Sequence, residues 1–210
     1  MKRLNKLLNE NAARTASGFM ENICYLVLLI FVFGMVLSFI GRQEFRLITS
    51  SGSYDNAILA EEKHNWQRPG NTRWLTIKMN DDVFVWGADK IDVPAKVAIS
   101  AIYAVYIIPL IVSFWLLSRV FRSVRKGYVF TERNAAYILY FGLIRIAASV
   151  LVPLVKIGIV NLVNWFSNSS MRINTGKGWL TELITSIAFI VAAYIIHYGV
   201  QLQDEVDHTL

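Results

Sequence analysis

A chain of 210 residues, 55% hydrophobic and 17% charged, with a mean hydropathy of +0.43, is too apolar for an ordinary soluble domain. The excess falls in stretches of roughly 20 residues, enough to cross a bilayer core of about 30 Å, so composition points to a polytopic membrane protein. The net charge of +6 does not signal nucleic-acid binding, because the basic residues gather at the ends of the apolar stretches and set the threading; a single cysteine, Cys24, excludes an internal disulfide.

In chain order, residues 1–22 form a polar, basic N-terminal segment. Leu4, Leu7, Leu8, Ala12 and Ala13 suit a short amphipathic helix at the inner surface. The first span covers 23–41, an uncleaved anchor whose apolar stretch is longer than a signal peptide's. Its Gly34 and Ser38, four apart, make a small face for close helix packing. Residues 42–93 carry mixed charge and form the largest polar segment, expected outside the cytoplasm. Thr72 to Met79 and Val83 to Trp86 are rich in strand formers, with turn chemistry at Asn80-Asp81-Asp82. They predict a small hairpin or sheet, which gains stability by packing on the 43–60 segment or on the helix ends.

The second span covers 94–118, with Pro94 in its first turn and a kink expected at Pro109. The loop 119–133 carries Arg119, Arg122, Arg125 and Lys126. Basic residues in a short loop between spans mark the cytoplasmic side. They also suit anionic lipid head groups. Gly127 is placed to end the second helix and Thr131 to cap the third. The third span (134–165), a short outer loop (166–178), the fourth span (179–202) and an acidic tail (203–210) follow. The resulting fold class is an all-α membrane protein with four transmembrane helices and a small β insertion between the first two. Both termini then lie in the cytoplasm.

Charges inside spans are candidate functional groups. Arg145 and Lys156 lie eleven apart on the third helix, Glu182 one turn into the fourth, and His197 in its inner half. A Lys156–Glu182 pair is expected. Arg145 has no evident acid at its depth and is left to His197 or the head groups. No nucleophile, zinc-protease or phosphate-loop motif occurs, nor a metal-ligand spacing. The residues therefore predict no enzyme, no cofactor and no metal.

Two stretches carry a resemblance. Val129-Phe130-Thr131-Glu132-Arg133-Asn134 with Gly142, and the ending Gly199-Val200-Gln201-Leu202-Gln203-Asp204-Glu205-Val206-Asp207-His208-Thr209-Leu210, resemble the inner-loop and C-terminal signatures of the bacterial membrane family called "domain of unknown function 2975". In the C-terminal signature, Gly199, Leu202, Glu205, Asp207 and Thr209 occupy the specified positions. The long segment between the first two spans departs from the family pattern. The resemblance implies four spans, residence in the bacterial cytoplasmic membrane, and, by association, a small helix-turn-helix regulator as partner. Loop and tail carry opposite charge, so Asp204, Glu205 and Asp207 are expected to dock on Arg122, Arg125 and Lys126. The resulting expectation is a non-enzymatic sensor or regulatory module. The alternatives are a small transporter or channel subunit, and a structural assembly partner.

Overall fold

The described residues form four long helices and four short strands. A computed structural model describes residues 10–49, 52–58, 77–86, 92–167, 170–174 and 179–209. The helices are α1 (Glu10–Phe39), α2 (Val93–Arg125), α3 (Glu132–Val163) and α4 (Trp179–Thr209). The strands are β1 (Gln43–Thr49), β2 (Gly52–Ile58), β3 (Ile77–Trp86) and β4 (Ser170–Asn174). All four helices are long and apolar enough to cross a membrane. In their most apolar stretches only 17, 28, 28 and 11% is buried within the chain, so the apolar surface faces outward, as it does toward lipid.

The chain divides into two units. One comprises Met1–Ile30, Pro109–Ser149 and Gly178–Leu210, the other Phe31–Ile108 and Val150–Lys177. In the second unit the strands form one sheet in the order β2-β1-β3-β4. The β1–β2 and β3–β4 pairs are antiparallel, while β1 and β3 are parallel. Val83 and Met171 from the sheet close a core with Ala95, Ile99 and Ile102 of α2 and Val160 of α3. Asn164, just past α3, pins β4: its Nδ2 donates to Met171 O at 3.0 Å and its Oδ1 accepts from Met171 N at 2.8 Å. The expected outer loop 166–178 thus contains a strand.

The expected turn at Asn80-Asp81-Asp82 is absent. β3 runs through these residues, and the β1 register jumps there from Glu44↔Lys78 to Arg46↔Asp82. The turn-forming residues make a bulge, not a reversal, because the strand on either side keeps the same partner. Residues 72–76, expected to be strand, lie outside the described residues.

At the polar ends, Gly41 (φ 81) closes α1, with Arg42 N bonded to Leu37 O at 2.9 Å. Asp92 caps α2, accepting from Ala95 N at 3.2 Å. The predicted small face of α1 is a packing face: a Cβ on Gly34 would fall 2.9 Å from the Tyr103 hydroxyl, and Ser100 Oγ donates to Ser38 O at 3.2 Å. Helices α2 and α3 run unbroken through Pro109 and Pro153.

From Glu10 the N-terminal segment belongs to α1, continuous with the apolar stretch; residues 1–9, with Leu4, Leu7 and Leu8 of the expected surface helix, lie outside the described residues. A buried acid, Glu21, underlies that continuity.

Candidate functional site

The first unit gathers the α2–α3 loop, the polar half of α1 and the C-terminal half of α4. Glu21 on α1 is almost wholly buried, its side chain 3% exposed. Arg122 Nε donates to its Oε1 at 3.0 Å. Arg125 Nη1 lies 3.2 Å from its Oε2, a charge contact without hydrogen-bond alignment. Leaving such an acid unpaired would be costly, so the two arginines draw α1 along the end of α2 and keep it helical. Gly18 makes room: a Cβ there would sit 3.2 Å from Arg125 Cδ. Arg119 stacks on Trp115, 5.0 Å from the ring centroid, and Lys126 is exposed.

The loop is built by local rules. Gly127 adopts φ 90, a left-handed conformation that favours glycine. Tyr128 N bonds Ser123 O at 3.1 Å and Gly127 N bonds Val124 O at 2.9 Å, the double closure of a Schellman cap. A Cβ on Gly127 would also lie 3.2 Å from Arg14 Nη2. Thr131 caps α3, its Oγ1 accepting from Asn134 N at 3.2 Å. Asn134 is fully buried, and its Nδ2 donates to Tyr128 O at 2.8 Å and Val129 O at 2.9 Å. Two carbonyls can only receive a donor, which fixes the amide orientation. The loop therefore holds one shape, with Tyr128, Val129 and Phe130 exposed.

The C-terminal part of α4 meets this loop. Phe130 packs on Gly199, where an added Cβ would fall 2.6 Å from the ring. His197 Nδ1 lies 2.9 Å from Glu132 Oε1 and 3.1 Å from Oε2. Gln201 Nε2 lies 3.3 Å from His197 Nε2. Further along the same helix pair, Gly142 presses on α4: a Cβ would meet Ile190 Cγ1 at 2.6 Å and Ser186 O at 3.0 Å.

Several expected pairings are redistributed. Arg122 and Arg125 engage Glu21; among the described residues neither contacts Asp204 or Glu205. The loop does meet α4 ahead of the tail, through Phe130–Gly199 and Glu132–His197, and α4 stays helical to Thr209. Asp204 and Glu205 are exposed, as is half-covered Leu202; the side chains of Asp207 and Thr209 lie outside the described residues. Glu182 bonds Arg145, Nη2 to Oε1 at 3.2 Å. Arg145 thus has an acid, and His197 belongs to Glu132. Lys156 is buried, with Nζ 5.0 Å from the Tyr106 ring centroid. Among the described residues no His, Cys, Asp and Glu group is arranged to hold a metal.

Glu21 was not singled out from the sequence. It borders the first apolar stretch by one polar residue. Under cytoplasmic threading it is the acid level with arginines spaced three apart, and that signal was available.

These features define a multi-pass helical membrane protein with a loop–tail face built on one end of its bundle. Residues 72–210 match the family described as "Protein of unknown function (DUF2975)", and the chain belongs to it. The match contains the loop and the tail; α1, β1 and β2 precede it. No curated protein and no solved structure matches the chain.

Proposed function

We propose that this chain is a non-enzymatic regulatory module of a bacterial cytoplasmic membrane, read on its cytoplasmic side by a soluble partner. The observation that carries the reading is the seating of Phe130 on Gly199. It joins two stretches far apart in the chain into one face, where Tyr128 and Val129 stand exposed. An exposed apolar surface on a chain whose last helix carries the exposed acids Asp204 and Glu205 suits a partner with an apolar anchor and basic rim. A small helix-turn-helix regulator, basic because it binds DNA, has that chemistry. The basic loop between spans supports a cytoplasmic placement for this face.

Capture from the native membrane tests this. A photo-crosslinking residue at Tyr128 is expected to trap a small basic protein. Trapping should fall at least tenfold in Gly199→Leu, which evicts the Phe130 ring, and on removal of Gln203 to Leu210. Equal capture in all three proteins, or none in any, would sink the regulatory reading. The runner-up, a small transporter, would then be tested by flux in Arg145 and Glu182 variants.

A further inference from the structure

The grouping of two arginines on one buried acid is unbalanced in charge. Glu21 uses one oxygen for each guanidinium, while each guanidinium carries five donors in a planar fork. The arginine side chains are 43 and 46% exposed, against 3% for Glu21. Among the described residues no other acceptor engages either arginine. One positive charge is therefore left over within the trio, on donors that face outward. Arg119 stands one turn before Arg122 and Lys126 follows Arg125, so the rim is basic as well.

We propose that Arg122 and Arg125, held by Glu21, form a binding site for the phosphate of an anionic phospholipid headgroup, with Arg119 and Lys126 at its rim. The buried carboxylate fixes the two forks in advance, so little side-chain freedom remains to be lost when an anion binds. Planar guanidinium forks match phosphate oxygens. The depth is right for a headgroup: Glu21 lies two residues before the apolar stretch of α1, and Arg119 directly follows the apolar stretch of α2. A lipid phosphate is favoured over a free one because the same molecule can place its acyl chains on the exposed apolar residues nearby, among them Phe19 and Met20.

The test uses the full-length protein, delipidated in detergent, with phosphatidylglycerol, phosphatidylethanolamine or inorganic phosphate added, and lipid retention read by native mass spectrometry. Phosphatidylglycerol is expected to be retained at least tenfold more strongly than phosphatidylethanolamine. Arg122→Gln with Arg125→Gln should abolish that preference. Arg122→Lys with Arg125→Lys keeps the charge but loses the fork, and should weaken it several-fold, which covers the case in which the glutamine variant does not fold. Glu21→Gln is the sharper probe. It removes a negative charge, so diffuse attraction predicts tighter binding, whereas loss of the clamp predicts weaker binding. Unchanged retention in the lysine and glutamine variants, or tighter binding by Glu21→Gln, would overturn the site. Displacement of the lipid by low-millimolar inorganic phosphate would overturn its assignment to a headgroup.

Discussion

Asn134 is the residue on which the loop depends. Its amide holds two carbonyls of the preceding turn from a fully buried position, while its own N–H is capped by Thr131. Removing the amide takes the donor from two part-buried carbonyls, at about 0.5–1.5 kcal/mol for each lost bond. Asn134→Ala is therefore expected to lower the melting temperature of the detergent-solubilised protein. Asn134→Asp should lower it further near neutral pH, because a carboxylate would face the two carbonyl oxygens. An aspartate variant that melts with the wild type would show that the loop is held elsewhere. The Glu132–His197 contact is more exposed, with side chains 63 and 45% accessible. Exposed pairs contribute about 0–1 kcal/mol, so it aligns the face more than it stabilises the bundle.

At the scale of elements, the helices are held together by small residues and a few polar bonds. Two glycines on α3 separate these roles. Gly142 faces α4 with no room for a methyl group, while Gly158 has nothing within 4 Å of where a Cβ would stand. Gly142→Ala is expected to destabilise by about 1–3 kcal/mol through overpacking against Ile190 and the Ser186 carbonyl. Gly158→Ala is expected to be neutral or to stabilise by up to about 1 kcal/mol, since alanine loses less backbone entropy in a helix. Parallel thermal melts decide it, and equal effects at the two sites would contradict the α3–α4 packing. The same packing logic explains α1. Its polar half stays helical because Glu21 must remain paired, and Gly18 lets Arg125 cross it.

For the whole molecule, the charge bias of the α2–α3 loop proposes a threading with that loop in the cytoplasm and residues 166–178 outside. In a Cys24→Ala background, a cysteine replacing exposed Asn174 on β4 should react with an impermeant maleimide in intact cells. A cysteine replacing exposed Tyr128 should react only after permeabilisation. The reverse pattern would invert the protein and remove the cytoplasmic reading of its loop–tail face.

Hydropathy and local residue chemistry, taken from the sequence by themselves, determined the four apolar helices and the capping roles of Gly127 and Thr131. These depend on composition and on rules that act within a few residues. The presence of strands outside the spans was legible for the same reason. Strand order and the bulge at Lys78 to Asp82 were not, because they depend on partners distant in the chain. Tertiary structure alone decided which charges pair. Spacing pointed Glu182 to Lys156 and left Arg145 without an acid, and the α3–α4 register gives Glu182 to Arg145. The charge pattern pointed the arginines of the loop to the tail acids, and the tertiary structure gives Arg122 and Arg125 to Glu21, because an acid removed from water must keep its cations.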